Sequence, residues 1–150
     1  RGLRMVIGLD FDNVIVETGE DWEGLTLETP PVSDGVIDLL NNNFVSLILT
    51  GREDLHPVIE WVSAWAPKWT GEIHSAQSWG GRKGPYLAYR KVTIFVDDLP
   101  EYVEDIRESG VPILHFVKKV HVCPKKLLLQ EGYLKSEFLQ TKAGATSPYQ

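Results

Sequence analysis

The residues best suited to chemistry are carboxylates that follow apolar runs. Asp10 and Asp12 follow Met5-Val6-Ile7-Gly8-Leu9. Asp97 and Asp98 follow Val92-Thr93-Ile94-Phe95-Val96, and Thr50-Gly51-Arg52 follows Val45-Ser46-Leu47-Ile48-Leu49. Lys83 lies between the last two groups, with Arg82 beside it and Lys91 further on. A carboxylate can attack as a nucleophile, move protons as a general acid and base, or bind a hard cation. Four carboxylates brought to one spot repel, and leaving such charges buried and unpaired is costly. A cation is therefore expected among them. Cys123 is the single cysteine and the four histidines do not cluster, which argues against a soft-metal site. Oxygen donors alone point to Mg²⁺, with positions left open for substrate oxygens, as phosphoryl chemistry requires.

These groups need elements that bring them together. Five strand-like runs are expected: Met5–Leu9, Val45–Leu49, a weaker one near Glu72-Ile73-His74, Val92–Val96 and Pro112–Phe116. Such continuous apolar runs suit strands covered on both faces. Helices are expected between them. One follows Ser33 or Asp34 as N-cap. Another starts after Asp54, carries Val58, Ile59, Val62 and Trp65, and stops at Pro67. A short one covers Pro85 to Arg90, and another runs from Pro100 to Gly110. Residues 123–140 suggest a last helix on Leu127, Leu128, Leu134 and Phe138, weakened by Gly132. The alternation predicts an α/β fold: one Rossmann-like domain over residues 1–140, a mostly parallel five-stranded sheet, and a loose tail over 141–150. Parallel strands point the same way, so their polar tips meet on one rim, where open α/β sheets bind ligands.

Composition narrows the classes. The chain has 150 residues, 43% of them hydrophobic and 24% charged, as in an ordinary soluble domain. No apolar run approaches the roughly 20 residues of a membrane span, so no membrane partner is expected. A lone cysteine fits a reducing, cytoplasmic setting, and Cys123 itself reads as a small buried hydrophobe. The net charge of −6 argues against a general nucleic-acid binder.

Taken in order, the groups resemble the motifs of the haloacid dehalogenase-like superfamily. Asp10-Phe11-Asp12-Asn13-Val14 resembles the first motif, DxDx followed by Thr or Val. Leu47-Ile48-Leu49-Thr50-Gly51-Arg52 resembles the second. Lys83 stands for the third, and Ile94-Phe95-Val96-Asp97-Asp98 resembles the fourth in its paired-Asp form. The resemblance implies a Mg²⁺-dependent phosphomonoester hydrolase working through an aspartyl-phosphate. Asp10 would be the nucleophile and Asp12 the acid and base. Thr50 would hydrogen-bond a phosphoryl oxygen, and Lys83 would neutralise charge. Mg²⁺ would be held by Asp10, the Asp12 backbone carbonyl and Asp98, with Asp97 behind them. Gly51, Arg52 and Asn13 are the expected substrate contacts. Alternatives within the fold are a silent phosphate- or metal-binding module and a phosphotransferase or mutase.

The gaps between motifs bear on substrate. Residues 15–43 and the stretch from Thr50 to Lys83 are too short to hold a cap domain. What remains after the first motif is a stretch, Glu17 to Glu28, expected as a β-hairpin flap around Glu20–Gly24. An open site suits a large or exposed phosphorylated substrate: a nucleic-acid end, a nucleotide or a phosphoprotein. An oligomer is another source of the missing cap. Among the tryptophans, Trp61, Trp65 and Trp69 read as packing residues. Trp22 and Trp79, in expected loops, are candidates for stacking on bases.

Overall fold

The computed structural model describes residues 5–135. Its strands are β1 (Ile7–Leu9), β2 (Leu47–Thr50), β3 (Glu72–Ser75), β4 (Ile94–Asp97) and β5 (Ile113–His115). Its α-helices are α1 (Asp34–Asn41), α2 (His56–Trp65), α3 (Gly84–Tyr89), α4 (Pro100–Glu108) and α5 (Pro124–Gln130). The strands form one sheet in the order β3-β2-β1-β4-β5, and every pairing is parallel. This is the expected Rossmann-like α/β fold, with a sheet that is wholly parallel. No second folded unit follows β1 or β2 among the described residues.

Strand alternation divides the core into two layers. Ile48, Ile94 and Val96 pack with α1, α2 and α5 on one face, around Trp61, Leu39 and Leu128. Leu47, Leu49 and Phe95 pack with α3 and α4 on the other, around Leu87 and Ile106. Gly8 in β1 faces the second layer. A Cβ there would sit 2.8 Å from the Phe95 ring, so the central strand has no room for a side chain at that point. Right-handed crossovers explain the division. The chain moves from β1 outward to β3 with helices on one face, then returns past β1 to β4 and β5 with helices on the other. The reversal lies between β1 and β4, and there the strand tips open a crevice.

Two expectations change. The segment Glu17–Glu28 forms no hairpin. It holds a short 3₁₀ turn, Trp22–Gly24, in an irregular loop, and Val16 bridges to Asp12 and Pro31. Gly19 is left-handed at φ 65°, and the Thr26 and Thr29 hydroxyls capture the backbone N–H groups of Glu28 and Thr26. Side chains thus satisfy donors that a strand ladder would need. The last helix ends at Gln130, because Gly132 adopts φ 86°, the left-handed turn that closes helices. Phe138 and the tail over 141–150 lie outside the described residues. Trp61, Trp65 and Trp69 pack as expected, each donating its indole N–H to a backbone carbonyl, of Thr29, Leu27 and Val45 respectively.

Candidate functional site

Asp10 leaves the C-terminal end of β1 with its N–H still bonded to the Val96 carbonyl of β4, at 3.0 Å. Asp97 ends β4 and Asp98 follows it. Lys83, on the loop before α3, reaches into the crevice from the second layer. Its Nζ donates to Asp10 Oδ1 at 2.8 Å and to Asp97 Oδ2 at 2.7 Å. Its side chain is fully buried (0%). The rings of Tyr102 and Phe95 lie 4.2 and 5.4 Å from the ammonium and enclose it. Asp97 Oδ1 accepts the N–H groups of Asp98 and Leu99, at 2.8 and 3.2 Å. Asp97 therefore orients Asp98 and the entry to α4 while holding Lys83.

Three carboxylates thus face one ammonium. Ligand oxygens of Asp10, Asp97 and Asp98 lie within 4.8 Å of one another. Asp98 Oδ1 is buried with no hydrogen-bond partner. A buried acceptor without a donor is costly, and one on a carboxylate grouped with two others is the kind of site a cation relieves. The donors are all oxygen, which fits a hard divalent ion such as Mg²⁺. The electrostatics agree. Burial, then the charge of Asp97, pushes the Asp10 carboxyl well above its ordinary range, although Lys83 opposes them. Burial also pushes Asp98 up, against a hydrogen bond with Asp10. For Lys83, burial works against the charge, but Asp10 and Asp97 outweigh it and hold the ammonium above the usual lysine range.

Asp12 stands apart from this cluster. Arg52 donates Nε–H to its Oδ2 at 2.9 Å and Nη2–H to its Oδ1 at 2.8 Å, and the Thr18 hydroxyl donates to Oδ1 at 2.9 Å. Arg52 also donates to the Trp22 backbone carbonyl, and its guanidinium lies 5.0 Å from the centre of the Trp22 ring. Thr50 is buried at the tip of β2, and its hydroxyl oxygen accepts the Arg52 N–H at 3.1 Å. Gly51 passes against the Tyr102 hydroxyl, where a Cβ would clash. Asn13, left-handed at φ 66°, gives its amide to the loop. It donates to the Gly19 carbonyl and accepts the Gly19 N–H, both at 2.7 Å.

An open cleft of about 830 Å³ is lined by Asp10, Asp12, Asn13, Gly51, Arg52 and Asp98, together with Trp22 and Lys118. Thr50, Lys83 and Asp97 lie buried and outside its lining. Lys118 pairs with Glu17, so the loop after β5 meets the loop after β1 across the cleft.

Several contributors carry no motif. Asp105 on α4 accepts the N–H groups of Lys83 and Gly84 at 2.9 and 2.8 Å, and the Arg82 guanidinium at 2.5 Å. It fixes the loop that delivers Lys83 and assigns Arg82 to that anchor. Lys91, left-handed at φ 55°, follows the far end of α3. Gly84 lets α3 approach α4, since a Cβ would lie 2.6 Å from the Asp105 carbonyl oxygen. His115, at the tip of β5, contacts the Asp98 carbonyl through Nε2 at 3.1 Å. The available signal was spacing: Tyr102 and Asp105 are three apart on α4 and so share a face. No family model matches the chain, and no curated protein or solved structure matches it either.

Proposed function

We propose that the chain is a Mg²⁺-dependent phosphomonoesterase of the haloacid dehalogenase-like kind, without a cap, acting on exposed phosphorylated groups. The supporting observation is the buried Lys83 held between Asp10 and Asp97, beside the unpartnered oxygen of Asp98, at the reversal point of a parallel sheet. In this reading Mg²⁺ is held by the Asp10 and Asp98 carboxylates and the Asp12 backbone carbonyl. It supplies charge neutralisation for the phosphoryl group.

The chain's own groups supply the rest. An Asp10 oxygen attacks phosphorus, and the bond to the leaving oxygen breaks as that oxygen takes the proton of the Asp12 carboxyl. Water then gives a proton to the Asp12 carboxylate and attacks the aspartyl-phosphate, releasing phosphate and restoring Asp10. Lys83 holds the orientation of Asp10 and offsets the charge that builds on the phosphoryl oxygens. Thr50 has a hydroxyl proton to donate to one of those oxygens.

The test is phosphate release from p-nitrophenyl phosphate with Mg²⁺. Activity is expected, and it should stop with EDTA and in Asp10→Asn. A fully active Asp10→Asn would end the assignment. A second reading, a silent phosphate-binding module, is favoured by one observation. Both oxygens of Asp12 are already engaged, by the Arg52 guanidinium and the Thr18 hydroxyl, rather than left open toward a substrate. Binding of Mg²⁺ and phosphate without turnover would select it.

A further inference from the structure

Resting on the phosphomonoesterase reading, we propose that the substrate is a nucleoside phosphate whose base stacks on the indole of Trp22. Trp22 is 48% exposed and lines the same cleft as Asp10. Its 3₁₀ turn contains no buried residue, so the indole is not there to complete the core. It is nevertheless held. Its carbonyl accepts from Arg52, and the guanidinium sits against one face of the ring. The loop is pinned at Gly19 by Asn13 and at Leu27 and Thr29 by the indoles of α2. A fixed aromatic plane binds with little ordering cost.

Three features choose the guest. With a guanidinium on one face, the ring quadrupole is already used, so a second cation is a poor partner and a neutral aromatic ring a good one. The indole is also set back from the chemistry: the Arg52 guanidinium bonds Asp12, which would protonate the leaving oxygen, at 2.8 Å and lies 5.0 Å from the centre of the ring. A nucleotide, which carries a sugar between phosphate and base, suits this separation better than a ring bonded directly to the leaving oxygen. Finally, Glu17 and Glu20 line the cleft together with Lys118 and Lys119, and Glu17 engages Lys118, so the lining offers no excess of positive charge to track a polyanion. The site is built for one nucleotide, free or terminal.

The test is equilibrium binding to the full-length Asp10→Asn protein with Mg²⁺, where turnover does not intrude. The probes are adenosine 5′-monophosphate, adenosine 3′-monophosphate, ribose 5-phosphate, phosphotyrosine and a 3′-phosphorylated tetranucleotide. An adenosine monophosphate should bind about tenfold or more tighter than ribose 5-phosphate or phosphotyrosine, the scale of one base stack. Trp22→Ala should erase that margin and Trp22→Phe keep most of it, with circular dichroism confirming that both fold. A tighter tetranucleotide would identify strand ends as the source of the nucleotide, and an equal or weaker one free nucleotides. Equal affinity for nucleotide and ribose phosphate, a margin that Trp22→Ala leaves intact, or no binding of any probe would each overturn the proposal. Phosphate release by the unaltered protein from p-nitrophenyl phosphate tests the underlying reading separately.

Discussion

At the scale of single residues, Lys83 has the largest consequence. Its ammonium is the only cation in direct contact with Asp10 and Asp97 among the described residues. Removing one partner from a buried ion cluster leaves charges with no compensation, at a cost of about 3–5 kcal/mol. Lys83→Met should therefore lower Tm by on the order of 10 °C in a chain of this size, as well as abolish turnover. Thermal melts followed by circular dichroism measure the first effect, and an unchanged Tm would mean that the fold does not depend on Lys83 bridging Asp10 and Asp97. Arg52 acts differently. Its fork holds both oxygens of Asp12, and only a planar guanidinium does that. Arg52→Lys keeps the charge and loses the fork. In the proposed reaction Asp12 then loses its fixed orientation, and kcat should fall about tenfold with little change in KM, equivalent to about 1.4 kcal/mol. Steady-state kinetics on p-nitrophenyl phosphate separate the two constants, and a KM effect alone would place Arg52 in binding instead.

At the scale of elements, α4 positions what α3 delivers. Asp105 accepts two backbone N–H groups at the start of α3, a cap supplied from another helix, worth about 1–2 kcal/mol. Burial works against its charge, but the N–H of Gly84 and the guanidinium of Arg82 outweigh it and hold the carboxyl below its ordinary value of 3.8. A depressed carboxyl stabilises the fold above its unfolded value and loses that contribution as pH falls through its folded one. Asp105→Ala should thus lower Tm clearly at pH 7 and much less at pH 3; equal losses at both would rule out the charge. This cap also shows what the sequence could reveal. The strands were legible because each apolar run stops at Asp or Thr, and one parallel sheet suffices to gather Asp10, Thr50 and Asp97. The loop after β1 was not. Its turn depends on Gly19, on threonine hydroxyls and on indoles that come from α2, none of which leaves a periodic trace. The pairing of Arg52 with Asp12, 40 residues apart, and of Asp105 with Lys83 likewise exists only once the sheet has formed. In the sequence, Arg52 and Asp105 look like ordinary solvated charges.

At the scale of the molecule, the sheet places its charge imbalance at one point. Three carboxylates and one ammonium meet where the strand order reverses, and the orphaned Asp98 oxygen sits there too. Without a cation, the native state relieves the excess by retaining protons. Burial raises Asp10 and Asp98 above their ordinary value of 3.8. Groups raised in this way bind protons in the folded chain at pH values where the unfolded chain has released them. Stability from these sites is then full below about pH 4 and falls as pH rises through the raised values. Mg²⁺ takes over the role of the proton, so its effect should run in the opposite direction. The Tm gained by adding Mg²⁺ should be small at pH 5 and larger at pH 7.5, since a ligand that binds only the native state at free concentration L stabilises by RT ln(1 + L/Kd) and proton competition at the carboxyls raises Kd at low pH. Asp98→Asn removes one carboxylate and keeps the shape. It should leave the metal-free protein no less stable at pH 7.5 while abolishing most of the Mg²⁺-dependent gain. Differential scanning calorimetry with EDTA or Mg²⁺ at both pH values makes the comparison. A Tm that ignores Mg²⁺ at pH 7.5, or an Asp98→Asn protein that responds like the parent, would separate the acidic crevice from metal binding and leave Lys83 as its only counter-charge.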